Sequence, residues 1–357
     1  MRRFFALLLL LLTLCPPCMA EGAEYKTEIV LSLAGDCTLG ADEPLHQINE
    51  SFIGLMTALG DDYSYPLALA QDLFASDDFT LVNLEGVLTD YRRYRNERLS
   101  LNFRGPSRYV NILTQGSVEG VSLSNNHALD YGVMGLKDCQ NTLDRAGVLW
   151  AYNQNYFTFE RKGVRFAVFS FRRYYMEQYY DWLEGEIARI KQQGDADFVI
   201  VCLHHGEEYE EKHNDHDQTR FAHHAIDSGA DLVVGTHPHV LQGIEVYKNR
   251  LILYSLGNFS FGGNNRPFPA SVPTAVMEVR LAFDGTALYS TQLTIHPFHS
   301  TGTLPYSNYQ PVPVTGREAE QVMEILQSDT PFTLNPYTEG VGAIQDIIYA
   351  EPGKEKE

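Results

Sequence analysis

The chain has 357 residues, with 27 Lys plus Arg against 46 Asp plus Glu, a formal charge of −19. That balance excludes a broad nucleic-acid surface, which needs clustered Lys and Arg, and a general attraction to anionic lipid. Apolar residues at 44% and charged residues at 20% exclude wholesale disorder, and five cysteines are too few for a disulfide scaffold.

Arg2 and Arg3 precede an apolar run over 4–15, then Pro16, Pro17 and Cys18-Met19-Ala20. A positive start, a short apolar core, a helix breaker and a small residue at the cut are the layout of a secretory signal, here residues 1–20. The core of about 12 residues is shorter than the roughly 20 that span a bilayer. The expectation is therefore a secreted or extracytoplasmic protein, with retention by an uncleaved anchor as the alternative. Leu14 and Pro17 precede Cys15 and Cys18, so neither cysteine follows the small residue usual at a lipoprotein cut. Once a signal is removed, Cys37, Cys139 and Cys202 remain, an odd number that leaves at least one unpaired within the chain.

Along the rest of the chain, β-branched apolar runs at 27–34, 80–84, 120–123, 164–170, 198–203 and 232–235 read as buried strands. Helical periodicity falls between them, at 66–74, 106–113, 135–146, 182–192 and 218–228. This alternation predicts an α/β core with helices covering sheets. After Gly235 the pattern turns to consecutive strands, 240–247, 250–254, 274–283 and 287–295, with turns at Lys248-Asn249 and Asp284-Gly285. From residue 299 the chain is rich in Pro, Tyr and Asn, with one helix predicted at 317–327 and a mobile charged tail at 351–357. The expected division is a main domain over 21–298 and a C-terminal extension over 299–357.

Groups able to bind metal follow the apolar strands: Gly35-Asp36-Cys37-Thr38, Asn83-Leu84-Glu85-Gly86, Asn125-Asn126-His127, His204-His205-Gly206-Glu207-Glu208 and Thr236-His237-Pro238-His239. Each alone has an ordinary reading: Asp36 as a turn residue, Glu85 as a solvated charge, an Asn before His127 as a helix cap. Five of these six strand ends, each with an oxygen or imidazole donor, point instead to a shared cation, since strand ends are where α/β folds build sites. Asp, Glu, Asn and His without a Cys cluster favour Zn²⁺, Mn²⁺ or Fe, as one or two ions sharing a carboxylate. Such ions support hydrolysis of a phosphate ester or, less often, an amide.

These motifs, together with Asp130-Tyr131-Gly132, Glu208-Tyr209, the run 229–243 and Tyr254-Ser255-Leu256-Gly257-Asn258-Phe259-Ser260-Phe261, resemble one family. The chain is similar, over about residues 28–297, to bacterial poly-γ-glutamate capsule biosynthesis proteins of the CapA type, whose fold is related to calcineurin-like metallophosphoesterases. The resemblance implies a four-layer α/β/β/α sandwich with metal at the strand ends. It implies Asp36, Glu85, Asn126, His204, His237 and His239 as ligands, with Glu85 in the place of the bridging carboxylate. His127 corresponds to the imidazole that contacts substrate or leaving group, Asp130 would orient it, and Glu208 would act as a supporting partner or acid/base. Thr38 and Glu85 depart from the usual Asp-x-His and Asp of the first two motifs, and His205 stands where an aromatic is common. His223 falls where the family has a histidine facing the site; His213, His216 and His224 read as solvated or structural. The implied function is metal-dependent hydrolysis or transfer on an envelope polymer or its phosphorylated precursor. The alternative is a non-catalytic component that binds or tethers polymer in an export assembly. The partners implied are an anionic polymer or a phosphorylated small molecule, and other capsule-synthesis membrane proteins, with no nucleic acid. An acidic surface would repel a long polyglutamate chain at low salt.

Overall fold

The computed structural model describes residues 26–261 and 272–349. The signal-sequence expectation over 1–20 and the tail over 351–357 lie outside them. In chain order the first half comprises β1 (Thr27–Cys37), α1 (Phe52–Ala58), α2 (Gln71–Ser76), β2 (Phe79–Leu84), β3 (Val87–Leu88), β4 (Arg104–Gly105), α3 (Val110–Gln115), β5 (Gly120–Ser122), α4 (Gly132–Ala146), β6 (Leu149–Ala151) and β7 (Asn153–Arg161). The next elements are β8 (Val164–Arg172), α5 (Arg173–Met176), α6 (Tyr180–Gln193), β9 (Phe198–His204), α7 (Arg220–Asp227), β10 (Leu232–Thr236), β11 (Leu241–Tyr247) and β12 (Arg250–Leu256). The chain closes with β13 (Pro273–Asp284), β14 (Ala287–His299), β15 (Val312–Pro313), α8 (Gly316–Ser328) and β16 (Ala343–Tyr349).

Two mixed sheets result. One runs β15-β14-β13-β1-β2-β5-β6 with β16 also on β14; the other runs β11-β12-β10-β9-β8-β7. The strands that carry the sequence motifs are parallel within each sheet: β1, β2 and β5 in the first, β8, β9, β10 and β12 in the second. Their C-terminal ends therefore share one edge of the molecule.

Strand alternation explains the layers. Ile29, Leu31 and Leu33 of β1 and Leu81 of β2 pack in one buried cluster with Phe166 and Val168 of β8, Ile200 of β9 and Val234 of β10. The alternate residues point outward. Val199, Val201 and Val233 meet Leu183 and Ile187 of α6 and Phe221 and Ala225 of α7. Val82 and Leu84 meet Phe52 of α1, Phe74 of α2, Leu113 of α3 and Leu143 of α4. Both faces of each sheet are thus covered, giving the expected α/β/β/α sandwich. Each fully buried Leu, Ile or Phe contributes roughly 1.5–3 kcal/mol, so the layers form a firm base for strain at the strand ends.

Three predicted helices differ in detail. The 66–74 span is split into a 3-10 turn, Tyr65–Leu67, and α2. The 106–113 span opens as a 3-10 turn at Ser107–Tyr109 before α3. The 218–228 span opens as a π-turn at Asp215–Thr219, which Asn214 caps through its side-chain oxygen on Asp217 N–H at 2.8 Å. The segment after 299 is part of the same packing. Ala319, Val322 and Leu326 of α8 join the cluster between the sheets, and β16 extends β14.

Candidate metal centre

The ladder register places the site. Asp36 of β1 pairs with Asn83 of β2, so the two side chains are neighbours, and Asn83 Nδ2 donates to Asp36 Oδ1 at 2.7 Å. His204 pairs with Thr236 across β9 and β10, and His204 Nδ1 lies 3.1 Å from Thr236 Oγ1. The two sheets meet here because Gly35 has no side chain: a Cβ on it would lie 1.9 Å from the Gly257 carbonyl oxygen. That close approach lets Asp36 N–H donate to Gly257 O at 2.9 Å, and Phe259 N–H to Asp36 O at 2.8 Å.

Glu85, just past β2, is completely buried, and both carboxylate oxygens lack a hydrogen-bond partner. Three imidazoles face it: Nε2 of His127, His204 and His239 lie 3.8, 3.9 and 4.0 Å from Glu85 Oε1. These separations are too long for hydrogen bonds but shorter than twice a ligand–ion distance of about 2.0–2.2 Å. Burial and the nearby Asp36 charge raise the Glu85 pKa. An unpartnered buried carboxylate is costly unless a cation compensates it, so these residues fit a divalent ion.

Two ligand groups stand out among the described residues. Asp36, Glu85 and His204 bring one ligand atom each within 4.8 Å of one another, and Glu208, His237 and His239 do the same. Asn126 belongs with the first group, its Oδ1 lying 2.7 Å from His204 Nε2. His239 touches both, with Nδ1 3.4 Å from Asp36 Oδ2. Glu208 is drawn in by Tyr209 N–H, which donates to Pro238 O at 2.8 Å. Burial and the His237 and His239 charges hold His204 well below the usual histidine range, keeping it neutral as a ligand must be. Burial and His239 push His237 down to about 4. Burial opposes protonation of His239, but Glu85 and Asp36 outweigh it and raise it to about 9: the two carboxylates draw positive charge to this ring, a proton that a bound metal ion would displace. His237 and His239 adopt φ of +105° and +60°. Such backbone costs of order 1–3 kcal/mol for a non-glycine residue and persists where the surroundings enforce it, as at functional sites.

His127 is built differently. Its Nδ1 lies 2.8 Å from Asp130 Oδ2, which also accepts the Phe103 N–H, and the Phe103 ring rests on the imidazole at 4.1 Å. Asn125 Oδ1 accepts the His127 N–H at 3.1 Å.

All nine expected site residues therefore converge on one edge. His205 is buried beside them with neither ring nitrogen partnered, yet falls in neither ligand group; burial and His237 push it down to about 3. His223 is engaged elsewhere, with Nε2 3.0 Å from Glu245 and its ring on Tyr247 at 3.7 Å. Asn83, Thr236, Phe103 and Asn258, whose Oδ1 lies 2.9 Å from His239 Nδ1, join the site without a role expected from the sequence. Asn83 and Asn258 stand inside the motifs, but only ladder register shows which ligand each supports. Among the described residues no helix is long and apolar enough to cross a membrane.

Several known proteins resemble this chain. It is 27% identical over 285 residues to the capsule biosynthesis protein CapA of Bacillus anthracis, covering 73% of this chain and 66% of that one. It is 28% identical over 248 residues to the PGA biosynthesis protein CapA of Bacillus subtilis (strain 168), covering 63% and 64%. It thus spans slightly less than two thirds of the length of these relatives. Among solved structures it is similar to a hypothetical protein from Thermus thermophilus, with TM-score 0.45, 20% identity and coverage of 75% of this chain and 99% of that one. It is also similar to the calcineurin-like phosphoesterase YfkN from Bacillus subtilis, with TM-score 0.42, 12% identity and coverage of 85% and 96%. The profile of the bacterial capsule synthesis protein family PGA_cap matches residues 30–263, and the chain belongs to that family.

Proposed function

We propose that this chain is an extracytoplasmic, metal-dependent hydrolase or transferase of capsule synthesis, acting on an envelope polymer or its phosphorylated precursor. The observation that carries the reading is Glu85: buried, unpartnered and faced by three imidazole Nε2 atoms at 3.8–4.0 Å. Asp36, Glu85, Asn126 and His204 would hold one divalent ion, and Glu208, His237 and His239 a second. Glu208 is thereby assigned as a ligand rather than as a supporting acid/base. A bound divalent ion supplies Lewis-acid polarisation and a nucleophile active near neutral pH. Asp130 accepts from His127 Nδ1, so the transferable proton sits on Nε2, on the side facing Glu85. Protonated His127 gives that proton to the departing oxygen or nitrogen. Burial opposes protonation of His127, but the Asp130 hydrogen bond and charge outweigh it and raise its pKa. Phe103 covers one face of the ring and, with the Asp130 hydrogen bond, limits how far the imidazole can tilt. Export is supported by the pattern of residues 1–20, and a capsule role by the family.

The test is elemental analysis of the purified chain, with hydrolysis of p-nitrophenyl phosphate and bis-p-nitrophenyl phosphate with and without Mn²⁺. Bound metal with metal-dependent turnover is expected. Metal-free, inactive protein that still binds polyglutamate would replace this reading with the tether.

A further inference from the structure

With a charge of −19, the surface as a whole repels an extended polyanion, and one or two ions in a pocket attract only the unit that enters it. One segment reverses the local sign. Between β3 and β4, the run Tyr91-Arg92-Arg93-Tyr94-Arg95-Asn96-Glu97-Arg98 puts four arginines in seven consecutive positions. Arg95 is tied to Asp42 and Glu97. Arg92, Arg93 and Arg98 are exposed and form no ion pair among the described residues, so their guanidinium groups face solvent with their charge uncompensated.

The loop is held against the site. Arg95 binds Asp42 through two hydrogen bonds, of 2.8 and 3.1 Å. Asn102 brackets Asn96 with bonds of 3.2 Å to its N–H and carbonyl. Asn96 N–H then donates to the Asp130 carbonyl at 2.8 Å, on the turn that also carries His127. The Tyr94 Cβ lies beside Gly132 of the same turn, where an added Cβ would meet it at 3.5 Å, and the loop exits through Phe103, the residue on the His127 ring. Around it Tyr94, Leu99, Leu129, Val133 and Met134 are exposed.

We infer that this arginine–tyrosine loop is a second binding site, a rim that takes successive carboxylates of an extended polycarboxylate chain and leads it to the strand-end pocket. Guanidinium forks match carboxylates bidentately. The exposed apolar side chains beside them suit a polymer whose anionic groups are separated by aliphatic spacers, which a polyphosphate lacks. Its role in feeding the pocket rests on the proposed function; its binding of polymer does not need the metal.

The experiment uses the full chain and fluorescein-labelled poly-γ-glutamate of defined length, read by anisotropy. Binding is expected at about 0.01 M salt and its loss at about 1 M, where the screening length falls from roughly 30 to roughly 3 Å. Arg92→Gln/Arg93→Gln/Arg98→Gln should weaken it about 10- to 100-fold, three exposed ion pairs acting together. Metal content and thermal midpoint serve as checks on folding. Lys162→Gln/Lys248→Gln/Arg317→Gln removes the same charge away from the loop and should change affinity less than about 3-fold. Equal binding by wild type and the arginine triple, equal loss in the control triple, no salt dependence, or tighter binding of polyphosphate of equal charge would each overturn the inference. If the triple fails to fold, Arg98→Gln alone, expected to cost about 2- to 5-fold, decides in its place. The two readings fail separately. Wild type that holds metal and hydrolyses bis-p-nitrophenyl phosphate but binds no polymer removes the rim alone. Metal-free, inactive wild type whose polymer binding depends on the loop removes the metal-site reading alone.

Discussion

Asp130→Asn isolates one buried charge. Oδ2 of Asp130 accepts from His127 Nδ1 and from Phe103 N–H, while Oδ1 is buried with no partner. Asp130→Ala would strand both donors at about 1–3 kcal/mol each, a large part of the roughly 5–15 kcal/mol that holds a domain together. Asn keeps an oxygen for both donors and places its NH₂ where Oδ1 now sits, so the fold loses about 1–3 kcal/mol, the cost of one buried unpaired donor. At His127 the change is from a charge-assisted to a neutral hydrogen bond, a difference of about 1–2 kcal/mol. If His127 delivers its proton in the rate-limiting step, kcat for bis-p-nitrophenyl phosphate falls about 5- to 30-fold, with KM and metal content nearly unchanged. Steady-state kinetics with Mn²⁺, and elemental analysis of the same preparations, measure this. Unchanged kcat would show that the Asp130 charge has no part in turnover. Loss of metal in step with activity would show that Asp130 shapes the cation site instead of positioning His127.

Other substitutions probe neighbouring links. His239→Ala removes an imidazole that faces Asp36 and Glu85, so metal content should fall; full metal and full activity would reject His239 as a ligand. His127→Ala should keep metal and slow turnover about 10²–10⁴-fold, whereas metal loss equal to that of His239→Ala would make His127 a ligand. Gly35→Ala drives a Cβ into the Gly257 carbonyl, and should lower stability in urea by about 3 kcal/mol, the upper end for overpacking, and deplete metal; wild-type stability would refute the close-approach argument. Burial raises the Asp77 carboxyl from its ordinary 3.8 to about 6, although Thr80 Oγ1 donates to it at 2.7 Å. The folded-state value lies above the unfolded one, so this group's favourable contribution is complete below about pH 4 and is lost as pH rises through about 6. Asp77→Asn should therefore gain stability relative to wild type between about pH 4 and pH 8 in urea titrations, and a pH-independent difference would contradict this.

The layers were legible because buried parallel strands are short apolar runs ending in turns, and 198–203 and 232–235 differ from β9 and β10 by one residue at the C-terminal end. Those added residues are His204 and Thr236: the ladder continues into the site, so a reader of hydropathy stops one position early. β7 was missed because its start, Asn153-Gln154-Asn155, carries no apolar signal, and β16 because an edge strand alternates weakly. The candidate ligand types are legible in the motifs, but their division into two groups is not. Glu208 joins His237 and His239 only because a backbone bond from Tyr209 to Pro238 closes a loop onto the next strand end. Phe103 was invisible for a related reason: it lies 24 residues before His127 and reaches it through the β3–β4 ladder.

Metal bound per chain tests the central claim most directly. The full chain, incubated separately with Mn²⁺, Zn²⁺ and Fe²⁺ and freed of excess metal by gel filtration, is expected to retain one or two equivalents of at least one of them by inductively coupled plasma mass spectrometry. Glu85→Ala should release most of it, because that carboxylate lies between His127, His204 and His239. Retention below about a tenth of an equivalent for all three metals, in protein with a cooperative thermal transition, would contradict a shared cation at these strand ends.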